Sequence, residues 1–171
     1  MKKIFLILLT LFPLIISAQM TEREQQVLDE INLVRTNPKA YIVYIDEYLK
    51  VMDSDAAERA SANELKRELK KMKPVNALVF SEDLYKSCKA HGDYVIKTKK
   101  FVHSKGNYGE NIQYGQSEIR YAVIDLLIDH GIPTRGHREN ILNPKYKYFA
   151  VYEIPQKVGK MQYFFIQQFD Y

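Results

Sequence analysis

Two histidines and two acidic residues in the second half of the chain have the chemistry of a metal site or an acid–base site. Glu110 follows His103 by seven residues, and His137 follows Asp129 by eight. A neutral imidazole nitrogen binds zinc and other transition metals, and a carboxylate either ligates the metal or orients the ring. The same groups transfer protons near neutral pH, because imidazole titrates there.

The spacing of these residues does not match a local metal motif. The sequence has no HExxH pair, and a single cysteine, Cys88, excludes a CxxC motif and a disulfide within the chain. The four residues therefore form one site only if the fold brings them together. Residue types alone favour the alternative, in which His103 supports a loop and His137 supports a turn.

The two other histidines are weaker candidates. His91 shares an apolar helical stripe with Leu84, Cys88 and Val95, so we expect a hydrogen-bonded core histidine. His130 precedes a glycine in a loop, and we expect it to be exposed.

Three further polar residues lie beside the histidines in the sequence. Ser104 follows His103, but sequence neighbours rarely have the geometry of a nucleophile and its base. We expect Arg138 to pair with an acid near the site, such as Glu110. Arg135 and Arg138 also have the charge to attract an anionic ligand.

A mixture of helices and strands must position these residues. The sequence predicts helices over 21–37, 38–49, 81–95 and 117–128, a helical turn over 137–142, and strands over 75–80, 111–114, 148–154 and 161–171. Thr21 and Glu24 have the spacing of a capping box at the first helix. Because regular βαβ repeats are absent from the pattern, the predicted fold class is α+β.

A charged segment at about 50–73 interrupts this pattern. It begins acidic and ends basic, and Leu65, Leu69 and Met72 give it a thin apolar stripe. We expect a solvated helical excursion, since a run of charges usually marks a solvated face.

Residues 1–18 have the pattern of a secretory signal peptide. Lys2 and Lys3 precede the apolar run 4–16, and small residues precede a cleavage site after Ala18. The run is too short to span a bilayer. Removing it leaves 23 basic and 21 acidic residues, a net charge of +2, which gives no indication of nucleic-acid binding. We therefore predict one exported domain at 19–171, secreted or periplasmic, without a transmembrane segment.

Four motifs resemble those of the CAP superfamily, which comprises the cysteine-rich secretory proteins, antigen 5 and pathogenesis-related proteins (SCP-like domains). In chain order they are FVH at 101–103, GENI at 109–112, GHR at 136–138 and NILNP at 140–144. The segment 73–95 is similar to an entry helix of the short, disulfide-free bacterial branch, and FFIQQF at 164–169 is similar to its closing strand. The resemblance covers about 21–171, without the charged excursion.

This resemblance implies a three-layer α-β-α sandwich with a central antiparallel sheet and a cleft lined by two histidines and two acids. By position, the histidines are His103 and His137, and the first acid is Glu110. The second acid falls on Asp129, where aspartate replaces the usual glutamate, and Leu126 replaces a tryptophan three residues earlier.

Three functions remain open from the sequence. The first is a binding module whose cleft, formed by His103, Glu110, Asp129, His137 and Arg138, holds a small, lipid-like or protein ligand or a divalent ion such as zinc on the two histidines. The second is a hydrolase of peptide or cell-wall material, with the two histidines and Glu110 as catalytic candidates. The third is an interaction domain in which the four residues are structural. We favour the first, because no group that would stabilise an electrophile is recognisable.

Overall fold

The structure is a computed structural model that describes residues 19–171, so the predicted signal peptide lies outside the described residues. The described part contains helices α1 (Glu22–Thr36), α2 (Pro38–Val51), α3 (Ala56–Lys71), α4 (Glu82–Thr98), α5 (Ile119–Ile128) and α6 (Gly136–Leu142), and strands β1 (Val79–Phe80), β2 (Gly109–Gln113), β3 (Tyr148–Ile154) and β4 (Phe164–Asp170). Within residues 19–171, no helix has both the length and the apolar character needed to cross a bilayer.

Helices α1, α3 and α4 begin at a residue whose side chain caps the helix. The Thr21 hydroxyl accepts from the Glu24 N–H while the Glu24 carboxylate accepts from the Thr21 N–H, which confirms the capping box. The Ser81 side chain accepts from the N–H of Leu84 and caps α4, at the start of the helix predicted over 81–95. The helix predicted over 117–128 begins two residues later, at Ile119, with Glu118 at its cap position.

The four strands form one sheet in the order β1-β3-β4-β2. Strands β3, β4 and β2 are antiparallel, as predicted, but β1 pairs with β3 in parallel, which makes the sheet mixed. Only Val79 and Phe80 join it, because Asn32 and Arg35 of α1 bind the backbone of the preceding residues. Asn32 bonds both the N–H and the carbonyl of Leu78, and Arg35 bonds the carbonyl of Asn76.

Helices cover both faces of the sheet, as the predicted α-β-α sandwich requires. Successive side chains of a strand point to opposite faces. On β4, Phe164 and Ile166 pack in a core with Cys88 of α4, whereas Phe165 and Phe169 pack in a larger core with the other helices.

The charged segment is more than a solvated excursion. Ala62, Leu65 and Leu69 of α3 are fully buried in the larger core, where α3 packs against α2 and α5. The sequence pattern shows the apolar stripe. It does not show that carboxylates on α3 form ion pairs with arginines that lie far away in the sequence.

Candidate functional site

His103 and Glu110 form a hydrogen-bonded pair beside β2, which is an edge strand of the sheet. Nδ1 of His103 lies 2.9 Å from Oε1 of Glu110. A carboxylate that is ionised only accepts hydrogen bonds, so Nδ1 is the donor. Within residues 19–171, Nε2 of His103 has no hydrogen-bond partner, and the His103 side chain is 60% exposed.

Glu110 is buried, and its carboxylate is surrounded by donors. The Ser104 N–H lies 2.8 Å from Oε1, the Ser104 hydroxyl lies 2.5 Å from Oε2, and Nε2 of Gln168 lies 3.0 Å from Oε2. Burial raises the pKa of Glu110, but the hydrogen bonds from Ser104 and Gln168 outweigh it, and the net shift is downward. Glu110 is therefore ionised at neutral pH and holds His103 in one orientation.

His137 and Asp129 form a second pair of the same kind. Nδ1 of His137 lies 2.7 Å from Oδ1 of Asp129, and the backbone N–H of His137 donates to Oδ2 over 2.9 Å. Asp129 is buried and ends α5 in the left-handed conformation, with φ of 51°. This turn brings the short aspartate side chain close enough to reach the ring at the start of α6.

Side-chain amides connect the two pairs across β2. Nδ2 of Asn140 donates to Oδ1 of Asn111 over 2.9 Å, and Nδ2 of Asn111 lies 3.3 Å from the carbonyl of His137. Asn111 follows Glu110 on β2, so the two side chains point to opposite faces of the sheet. These hydrogen bonds link β2 to α6, the helix on which His137 lies.

Gly109 allows α6 to approach this strand. A Cβ atom at position 109 would lie 2.6 Å from Oδ1 of Asn140 and 2.7 Å from the hydroxyl of Tyr146. A larger residue would displace the side chains of Asn140 and Tyr146 from their positions against β2.

Arg138 is not part of the cleft. It is buried, and its guanidinium donates to the carbonyls of Leu127 and Ile128 and to the carboxylates of Glu64 and Glu68 on α3. The expected pairing with Glu110 is wrong, because the side chain points away from β2 and towards α3. Arg138 thereby fixes the start of α6, on which His137 lies.

Arg135 has a similar position and is also bound to α3. Its guanidinium lies 3.0 Å from Oε2 of Glu64, and it donates to the carbonyl of Asp129 over 2.6 Å. The hydrogen bonds from Arg135 and Arg138 lower the pKa of Glu64 to about 2. Both guanidinium groups are thus engaged within the fold, and neither is placed as a free anion site.

His91 and Ser104 add polar atoms that the sequence analysis did not assign to the site. His91 is buried as expected, and its Nε2 donates to the carbonyl of Val102 over 2.9 Å and lies 3.9 Å from Oε1 of Glu110. The Ser104 hydroxyl donates to Glu110, so the serine is not directed at a histidine. Gln168 was also missed, although it lies opposite Glu110 in the β2–β4 register.

The described residues do not assemble a closed metal site. Within residues 19–171, no group of three or more histidine, cysteine, aspartate and glutamate side chains is placed to hold an ion. Glu110 and Asp129 are bonded to the Nδ1 atoms of the histidines and therefore orient the rings. Metal binding by His103 and His137 stays a prediction.

Comparison with protein families gives a match over most of the chain. The model of the CAP family, the cysteine-rich secretory protein family, matches residues 28–169. The match includes both histidine–carboxylate pairs, strands β1 to β3, and β4 except for Asp170. A search of curated proteins gave no match to the chain. The chain belongs to the CAP family.

Proposed function

We propose that this CAP-family domain is an exported binding module that holds an exchangeable ligand with the Nε2 atoms of His103 and His137. One observation carries the proposal: each histidine has its Nδ1 atom bonded to a buried carboxylate. Such a bond fixes the tautomer and the orientation of the ring, so that Nε2 is presented as an acceptor or a metal ligand.

A divalent transition ion fits this donor set best. Imidazole nitrogens bind zinc at about 2.0–2.1 Å, and carboxylates that orient the rings raise the affinity. Two imidazoles leave the remaining coordination positions to water or to a bound molecule. We therefore propose an open and reversible site rather than a structural metal.

Hydrolysis is the second candidate, and the His103–Glu110 pair favours it. An imidazole whose Nδ1 is bonded to a carboxylate can act as a general base through Nε2. Against this, the Ser104 hydroxyl donates to Glu110 and is not poised as a nucleophile. A hydrolase would need an attacking water, and its activity would disappear in His103→Ala and in Glu110→Gln.

Calorimetric titration with zinc at pH 7.5 tests the binding proposal. The chain starting at Gln19 is compared with His103→Ala, with His137→Ala, and with His130→Ala as a matched control, because His130 is exposed and belongs to neither pair. Circular dichroism and thermal unfolding first establish that each variant is folded.

We expect one zinc ion per chain, lost in His103→Ala and in His137→Ala but kept in His130→Ala. Zinc binding that persists in both cleft variants, or no binding to the parent chain, would contradict the metal proposal. The two pairs would then have a structural role, and the protein would be an interaction domain.

A further inference from the structure

A pocket of about 480 Å³ lies between α4 and the segment 101–108, beside His103. This volume falls within the range of about 300–1,000 Å³ that is usual for small-molecule sites. One wall is a single face of α4, because Ser87, Ala90, His91 and Tyr94 have helical spacing. Hydrogen bonds hold the opposite wall to α4 at two points, and the pocket is therefore preformed.

Both attachments are made by polar groups that are already hydrogen-bonded within the protein. Nε2 of His91 donates to the carbonyl of Val102, and the hydroxyl of Tyr108 lies 3.0 Å from Ser87 Oγ and 2.9 Å from Ser104 Oγ. These bonds leave the rings and aliphatic groups of the walls as the surface for a ligand.

The accessible part of the pocket suits a flat apolar ring. Tyr94 is 42% exposed, and its ring is nearly parallel to that of His91, with an interplanar angle of 11°. Ala90 and Val102 are exposed small or branched residues on the two walls. An aromatic ligand would stack on the exposed tyrosine and contact both walls.

The charge of the pocket favours an anion. None of the described residues that line it is acidic, and Lys105 contributes an ammonium group at its exposed side. Within residues 19–171, the structure gives Lys105 no ion-pair partner. The nearby carboxylate of Glu110 lies behind the wall and is bonded to Ser104, Gln168 and His103.

We propose that this pocket binds a flat aromatic molecule with one negative charge, such as an aromatic carboxylate. The ring stacks on Tyr94, and the carboxylate lies near Lys105. The pocket shares His103, which lines it, with the proposed function. It goes beyond that function because it uses no residue of the His137–Asp129 pair and needs no metal ion.

Three compounds of the same ring system test the proposal in metal-free buffer at pH 7.5 and low ionic strength. They are 2-naphthoate, its neutral amide 2-naphthamide, and the cation 2-naphthylmethylammonium. Binding is followed by nitrogen–proton NMR spectra of the chain starting at Gln19. We expect naphthoate to bind most tightly and to shift the amide signals of Ala90, Tyr94 and Lys105.

Four substitutions separate the contributions to binding. Lys105→Gln should weaken naphthoate about three- to tenfold and leave naphthamide unchanged, whereas Lys145→Gln, at an exposed lysine outside the pocket, should change neither. Tyr94→Ala should weaken both compounds about tenfold. Ala90→Phe fills the pocket and should abolish both.

The proposal is overturned if the three compounds bind equally, if none binds, or if naphthoate binding survives Ala90→Phe. His137→Ala separates this result from the zinc result. It should abolish zinc binding and leave naphthoate binding unchanged, so either proposal can fail while the other stands.

Discussion

Glu110 carries a negative charge in a buried position because hydrogen bonds replace the water that it loses. His103, Ser104 and Gln168 supply these bonds. The arrangement makes Glu110 a contributor to stability as well as the group that orients His103.

Glu110→Gln should lower the free energy of unfolding by about 1–3 kcal/mol at pH 7, because the amide cannot accept all of these bonds. The folded pKa lies below the ordinary value of 4.5. The charged form therefore stabilises the fold above about pH 4.5, and this contribution is lost as the pH falls through the folded pKa.

Urea unfolding of the parent and of Glu110→Gln at pH 7 and pH 3.5 should show a smaller difference between the two proteins at the lower pH. Exposed Glu139 provides the control, Glu139→Gln, and an equal loss there would contradict the account.

Asp125 shows the opposite behaviour, because burial raises its pKa from 3.8 to about 6. The hydroxyl of Tyr48 donates to this carboxylate and is also 3.2 Å from Glu58, whose charge raises the Asp125 pKa further. The stability contributed by this raised pKa is fully present below about pH 3.8 and is lost as the pH rises through about 6.

Asp125→Asn keeps the shape and can still accept from Tyr48. It should be more stable than the parent by about 1–2 kcal/mol at pH 7.5, with the difference shrinking towards pH 4. Thermal unfolding across this range measures it, and Asp83→Asn at a highly exposed position is the control. A difference that does not depend on pH would show that Asp125 is not the cause.

Arg138 connects the site to helix α3, which forms most of the charged segment. The buried guanidinium bonds the end of α5 and two carboxylates of α3, and His137 precedes Arg138 at the start of α6. Arg138→Ala should lower the free energy of unfolding by about 2–4 kcal/mol, because the buried carbonyls lose their donor. Exposed Arg67, which lies on α3, gives the control, Arg67→Ala, which should have little effect. Similar losses in the two variants, measured by urea unfolding, would rule out this role for Arg138.

The sequence predicts those elements whose signals are local. The capping box at Thr21, the cap at Ser81 and the alternation on β3 and β4 mark elements that the structure confirms. The β1 segment is shortened by side chains of α1 more than forty residues away in sequence, and no local pattern reports such contacts.

The candidate site likewise contains some residues that a local sequence pattern reveals and others that only the tertiary packing reveals. Gly109 and Glu110 belong to a recognisable motif, and the structure gives the glycine a steric reason and the glutamate a partner. Gln168 and the α3 contacts of Arg138 depend on strand register and helix packing. The pairing of distant residues is set by tertiary packing, so the sequence alone directed Arg138 to the wrong acid.

The proposed function requires that the protein is exported. The signal-peptide pattern of residues 1–18 predicts this export. Expression of the full chain in a bacterial host should yield an exported protein whose intact mass corresponds to cleavage after Ala18. Leu8→Arg together with Leu9→Arg breaks the apolar run and should retain the uncleaved chain inside the cell. Lys2→Arg preserves the charge and should not change export. Uncleaved parent protein in the cytoplasm would refute the prediction.

The two histidine–carboxylate pairs act as one site only if a single ion engages both rings. Long-range nitrogen–proton NMR spectra of the imidazoles during a zinc titration test this directly, with exposed His130 as the internal control. We predict that His103 and His137 are protonated on Nδ1 without zinc. We also predict that one equivalent of zinc shifts Nε2 of both rings and leaves His130 unchanged. A shift of only one of the two rings, an equal shift of His130, or no shift at all would contradict it.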